Sequence, residues 1–194
     1  MVIDVKGEIF ITGAVLIIVL LALMASSIAS APALPLTIAA SAQLDNLEQE
    51  YRYTAGLSAA DGLDRMDELS GYLHQSVRGF DSIYALITVS GAGYELIIGN
   101  FMRNDVDIRI TAAGSSPSAA SANVEDGKTE SWSFSSSGDV QLTIRYTIQN
   151  MDYTQSLEFA TEEQTVSWFD IGIRSDEGNV RRSGIWNLER GGVI

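Results

Sequence analysis

The sequence has no cysteine and only one histidine, and these two shortages exclude several kinds of site. Without cysteine there is no disulfide framework, no thiolate metal site and no cysteine nucleophile. A serine triad needs a histidine as general base, but His74 lies on a predicted helix and is interpreted as a surface residue. No Asn-X-Ser/Thr acceptor is present, so N-glycosylation is not predicted.

Basic residues are also scarce. Twelve Lys and Arg stand against 25 Asp and Glu, which gives a formal net charge of −13. Binding of nucleic acid phosphates needs clustered Lys and Arg, so nucleic acid is not predicted as a partner. The length of 194 residues is typical of one domain with an appendage.

Charge is missing altogether from one long stretch near the N-terminus. After Glu8 no charged residue occurs until Asp45, a gap of 36 residues. A helix over Ile9–Ala31 is about 35 Å long, enough to cover a hydrocarbon core of about 30 Å. Pro32 follows, so the continuous helix is expected to end or kink near Ala31.

Three interpretations of this apolar segment compete. A buried core helix is disfavoured because nothing else in the chain is apolar enough to surround it. A cleaved secretory signal would use Ala29-Ser30-Ala31 as its cleavage site. A retained membrane or filament helix is preferred. Lys6 precedes the segment and the next basic residue is Arg52, so the N-terminus is expected in the cytoplasm and the C-terminal domain outside.

The start of this segment resembles a known family. Val5-Lys6-Gly7-Glu8-Ile9-Phe10, followed directly by the apolar run, resembles the class III leader of type IV pilin-like proteins, especially archaeal ones, over about 25 residues. The resemblance implies that a prepilin peptidase cuts between Gly7 and Glu8. It also implies that the apolar helix packs with other copies in a filament core.

Independently of the resemblance, small residues along the segment allow helices to approach closely. These residues are Gly13, Ala14, Ala22 and Ala25. The sequence thus predicts four parts: a cleavable leader at 1–7; a transmembrane or filament-core helix at 8–35; a helical stalk at 36–81; and an exported β-sandwich domain at 82–194.

Two amphipathic stripes indicate helices in the stalk. The first stripe has apolar residues at spacings of three and four: Leu44, Leu47, Tyr51 and Ala55. After Gly56, the residues 58–61 are expected to cap a second helix. Its stripe is Leu63, Met66, Leu69, Leu73 and Val77. We expect both stripes to pack on the following sheet, with a coiled-coil partner helix as the alternative.

From residue 82 onward the hydrophobic pattern alternates with a period of two. The alternation is clearest over 140–148, and an apparent phase slip between Trp168 and Phe169 suggests a bulge. Roughly seven short strands divided by turn residues predict an antiparallel, immunoglobulin-like β-sandwich. The fold class is therefore α+β: a long hydrophobic N-terminal helix, short amphipathic helices and then the sandwich.

Few residues are candidates for metal binding or for contact with another subunit. Asp105 and Asp107 have strand spacing and are interpreted as the solvated start of a strand, with calcium binding as the alternative. Four basic residues lie in the last 21 positions beside Trp186: Arg174, Arg181, Arg182 and Arg190. They are expected to pair with carboxylates of the domain. The alternative is a subunit contact formed by Arg181, Arg182, Trp186 and Arg190.

The sequence therefore predicts a protein with no catalytic residues, no metal and no cofactor. The leading hypothesis is a structural or adhesive surface subunit that polymerises through its N-terminal helix, in the cell membrane or in an extracellular filament. The alternative is a single-pass membrane-anchored domain that binds a ligand, or anchors an envelope or motor component, without polymerising. An exported hydrolase ranks a distant third because the sequence has no His or Cys constellation.

Overall fold

A computed structural model of the protein describes residues 36–148, 151–160, 162–175 and 178–189. Two helices come first, α1 at Leu36–Asp61 and α2 at Arg65–Ser76. Eight strands follow: β1 Phe80–Ser90, β2 Gly93–Phe101, β3 Val106–Ser116, β4 Ala119–Val124, β5 Lys128–Ile148, β6 Met151–Phe159, β7 Gln164–Ser175 and β8 Gly178–Glu189. The predicted order of helices and then strands is confirmed, and Thr37–Ile194 forms one compact unit.

All pairings between the described strands are antiparallel, in the order β4-β3-β5-β2-β1-β7-β8, with β6 on β5. The long strand β5 joins two parts of this arrangement. Its residues 128–135 pair with β2, whereas residues 140–148 pair with β6. The same later half pairs with β3 along its other edge. The described chain is thus a β-rich, antiparallel α+β domain, as its alternating pattern predicts.

A first hydrophobic core unites side chains from both parts. It brings together β1, β2 and β7, through residues such as Ile83, Leu96 and Trp168, with β3, β5 and β6, through residues such as Ile108 and Leu142. Alternate residues of each strand point to this core, so the opposite residues face elsewhere. For β3, β5 and β6, most of those opposite residues are polar, and they are exposed or half-buried.

A second core lies on the other face of β1 and β7, beneath the helices. It contains Tyr51 of α1, Met66 of α2, Tyr84 of β1 and Phe169 of β7. Burial on both faces explains why β7 has apolar residues at both even and odd positions. The predicted bulge there is wrong, because β7 pairs with β1 without a register shift from Phe80↔Ile173 to Thr88↔Thr165.

The first apolar stripe lies on α1 as predicted. Leu44, Tyr51 and Ala55 are buried in the second core, and Leu47 packs against it. The preferred expectation that this stripe packs on the sheet is confirmed. Among the described residues no helix is long and apolar enough to cross a membrane. The predicted membrane or filament segment at 8–35 lies outside the described residues.

The break between the two helices lies later than predicted. α1 continues through Gly56 to Asp61, and the cap of α2 is Asp64 rather than a residue of 58–61. The Asp64 carboxylate accepts hydrogen bonds from the backbone N–H groups of Met66 and Asp67, at 3.1 and 3.2 Å. A carboxylate at this position satisfies N–H groups that have no partner within the helix.

Candidate functional site

The arginines of the last strand meet carboxylates within the same chain. Arg181 Nη1 lies 3.1 Å from Asp81 Oδ1, and Arg181 Nη2 lies 2.8 Å from Asp170 Oδ2. Arg174 Nε donates to Asp81 Oδ2 at 2.6 Å. We call Asp81, Asp170, Arg174 and Arg181 the ion cluster. It connects β1, β7 and β8, so it fixes the last strand pair to the centre of the sheet.

The ion cluster is shielded from water on its acidic side. The Asp81 side chain is 0% exposed, whereas those of Arg174 and Arg181 are 35% and 21% exposed. Tyr146 donates its hydroxyl to Asp170 Oδ2 at 2.8 Å. Burial raises the pKa of Tyr146, and the neighbouring Asp170 charge raises it further. Burial lowers the pKa of Arg181, but the hydrogen bond to Asp170 and the charges of Asp170 and Asp81 together outweigh this effect and raise the pKa overall.

The two other described residues of the predicted subunit contact also have partners in the chain. Arg182 donates to Glu48 Oε2 at 2.9 Å and pairs with Asp45, both on α1. Trp186 stacks on Phe169 with ring centroids 4.4 Å apart. The expected pairing of these arginines with domain carboxylates is confirmed for Arg174, Arg181 and Arg182. The contact with another subunit stays a prediction, and Arg190 lies outside the described residues.

The structure separates the remaining candidate residues. His74 lies on α2 as predicted, but its side chain is only 15% exposed, and its Nε2 lies 3.1 Å from Asp126 Oδ2. Asp105 and Asp107 take different partners, the backbone N–H of Asp126 and the amide of Asn123. Within the described ranges, no group of three or more His, Cys, Asp or Glu is arranged to hold a metal ion.

A polar groove of about 330 Å³ lies on the face of β3, β5 and β6 that points away from the first core. Its lining residues are Asp107, Arg109, Arg145, Tyr146, Thr147, Asp152, Tyr153 and Thr154. We call it the outer groove. Strand register places Arg109 directly opposite Arg145, and Arg145 directly opposite Thr154. The groove is therefore built by three neighbouring strands and not by loops.

A second cavity, of about 290 Å³, lies beside the ion cluster. It shares Tyr146, Tyr153 and Thr154 with the outer groove and is also lined by Trp168 and Arg181. The rings of Tyr146 and Tyr153 stack with centroids 5.1 Å apart. These rings lie on the side of the first core, so the aromatic pair borders the second cavity.

The sequence predicted neither the outer groove nor the acidic half of the ion cluster. Asp81 and Asp170 each stand alone among apolar residues of a strand, and this was the signal for a buried partner. The predicted leader and helix-packing residues lie outside the described residues: Gly7, Glu8, Gly13, Ala14, Ala22 and Ala25.

The sequence and the structure were both compared with known proteins. No protein-family model matches this sequence, and comparisons with curated proteins and with solved structures find no match.

Proposed function

We propose that this protein is a structural or adhesive subunit of a type IV pilin-like surface filament. In this proposal the leader is removed after Gly7, and copies assemble through the apolar helix at 8–35. The β-rich domain is then displayed outside the cell. The finer architectural predictions, a long N-terminal helix and an immunoglobulin-like sandwich, form part of the same proposal.

The attachment of α1 to the sheet is the observation that carries this proposal. α1 begins at Leu36, directly after the apolar segment in the sequence. Leu44 and Tyr51 are 1% and 0% exposed in the second core. Arg182 of the last strand adds ion pairs to Asp45 and Glu48. A helix held in this way transmits load between its N-terminal end and the sheet, which is what a subunit linked through its N-terminus requires.

The leader sequence supplies the second line of support. Cleavage after Gly7 would place a new α-ammonium beside the Glu8 carboxylate at the start of an apolar helix. A charge in an apolar environment costs several kcal/mol unless it is paired. The ammonium and carboxylate of neighbouring copies can neutralise each other, and a carboxylate also suits a helix N-terminus.

The outer groove favours a second candidate function. A membrane-anchored domain that binds a ligand without polymerising needs a preformed site, and the groove offers one of about 330 Å³. Both functions place the domain outside the cell. They differ in whether copies associate through the N-terminal helix.

Substitutions on the two sides of the cleavage site test the filament proposal. Glu8→Ala should impair fibre assembly, whereas Asp4→Ala, in the discarded leader, should assemble like the wild type. Gly7→Leu should block cleavage, because a peptidase pocket shaped for glycine does not admit a large side chain. Assembly is scored by electron microscopy of sheared surface material. Normal fibres from Glu8→Ala would remove the pairing mechanism and favour the membrane anchor.

A further inference from the structure

Two arginines face each other on the outer groove, and neither forms an ion pair with the carboxylates of Asp107 and Asp152 that line the same groove. Arg109 and Arg145 are directly opposite in the β3–β5 pairing, and both are exposed. Opposite residues in an antiparallel pair have Cβ atoms about 5 Å apart, and like charges in this position are destabilising. Within the described part of the chain, neither arginine makes a hydrogen bond or an ion pair.

The unpaired state of these arginines is not caused by a shortage of carboxylates. The chain has 25 acidic residues against 12 basic ones. Arg65, Arg174, Arg181 and Arg182 each pair with at least one of them. The fold therefore places two positive charges side by side at some cost to its own stability, which Asp107 and Asp152 of the same groove reduce without pairing with either arginine. An anion bound between them would remove that cost.

Hydrogen-bond acceptors lie along the rim of the groove. Asp107 Oδ1 accepts from Asn123 Nδ2 at 2.8 Å, and Asp152 Oδ1 accepts from Thr147 Oγ1 at 2.7 Å. These bonds orient both carboxylates, and the second oxygen of each has no hydrogen bond within the described residues. The strand register places Asp107, Thr147 and Asp152 in one row across the three strands, and Arg109, Arg145 and Thr154 in the next row. The groove thus combines a cationic pair with two oriented acceptors in the neighbouring row, and Thr154 adds a hydroxyl.

We propose that the outer groove binds a sugar acid, such as a terminal uronic acid residue of a glycan. The ligand carboxylate would lie between the guanidinium groups of Arg109 and Arg145, which suit planar carboxylates. Ligand hydroxyls would donate to Asp107 and Asp152. The groove volume matches the small end of ligand sites.

The charge of the protein restricts the ligand further. A net charge of −13 repels long polyanions, and the acidic rim of the groove adds to this repulsion. A ligand with one negative group and several hydroxyls meets a much smaller repulsion, because the repulsion scales with the charge of the ligand. The inference does not depend on the filament proposal, because the groove belongs to a single chain.

Titration of the full chain in mild detergent with D-glucuronate tests the assignment, with D-glucose and acetate as comparison probes. We expect saturable glucuronate binding that weakens about tenfold or more in Arg109→Gln and in Arg145→Gln. Arg78→Gln, which changes the charge equally at an exposed position outside the groove, should bind like the wild type. Glucose and acetate should both bind at least about tenfold more weakly, since each lacks one half of the recognised chemistry.

Three results would overturn the assignment. The first is no saturable binding of glucuronate to the wild type, and the second is equal glucuronate affinity in all three variants. The third is a concentration-dependent self-association that is lost in Arg109→Gln and Arg145→Gln, because the groove would then take a carboxylate of a second copy. Misfolding cannot mimic the expected loss: removing one of two opposed charges should leave the unfolding midpoint in urea unchanged or higher, and this is measured on the same samples.

Discussion

Asp81 is buried and pairs with two arginines, Arg174 and Arg181. Replacing it is therefore the most direct test of how much the ion cluster stabilises this domain. Asp81→Asn keeps the shape of the side chain and removes its charge. One Asn oxygen can still accept from one arginine. The amide nitrogen must then face the other arginine, so two donors oppose each other where Arg174 Nε and Asp81 Oδ2 are now 2.6 Å apart.

The expected loss of stability depends on how well Arg174 and Arg181 can find other partners once the Asp81 charge is removed. Removing one member of a buried ion pair costs about 3–5 kcal/mol. Arg174 is 35% exposed and can turn toward water, and Arg181 keeps its 2.8 Å contact with Asp170. Both facts place Asp81→Asn at the lower end, at about 3 kcal/mol of unfolding free energy.

Urea unfolding of the full chain in mild detergent, followed by tryptophan fluorescence, measures this loss. Trp168 and Trp186 lie on the two strands that carry Asp170, Arg174 and Arg181, so the signal reports on the relevant region. Asp139→Asn is the matched control, since Asp139 is exposed. If Asp81→Asn and Asp139→Asn differ by less than about 0.5 kcal/mol, a size usual for surface substitutions, the ion cluster does not stabilise the domain.

Two further predictions concern Tyr51 and Tyr84, two side chains of the second core. Burial raises the pKa of Tyr51 to about 12, so the folded state holds this proton more tightly than the unfolded state does. The resulting contribution of Tyr51 to the unfolding free energy is fully present below the ordinary tyrosine pKa of about 10 and is lost as the pH rises through 12. Tyr51→Phe should therefore reduce the fall of unfolding free energy between these pH values, and an unchanged slope would contradict the assignment. A Cβ at Gly99 would collide with the Tyr84 ring, so Gly99→Ala should destabilise by about 1–3 kcal/mol in urea. Gly56→Ala on α1, where a Cβ meets open space, should instead stabilise by about 0.5–1 kcal/mol, and equal effects at both positions would refute the packing argument.

Much of the fold could be predicted from hydrophobic periodicity, and the error in β7 has a clear physical cause. Alternation over 140–148 identifies β5 because only one face of that segment is apolar. In β7 both faces are buried, since α1 covers the face that carries Phe169 and Ile171. Periodicity cannot show that a second layer covers a strand, so two apolar faces produce the same sequence pattern as a phase slip.

The candidate sites were less accessible to sequence reasoning. Arg181 and Arg182 were identified because basic residues are rare in this chain and cluster near its end. The opposition of Arg109 and Arg145 depends on the register between β3 and β5, and that register shifts between Ala113 and Ser115. No local pattern encodes such a pairing between strands that are far apart in the sequence.

The central claim is that copies of this chain assemble on the cell surface after removal of the leader. The most direct measurement is the intact mass of the subunit taken from fibres in native envelope material that electron microscopy has identified. The account predicts fibres whose subunit begins at Glu8. Subunits that retain Met1 to Gly7 and occur only as detergent-solubilised monomers would contradict it.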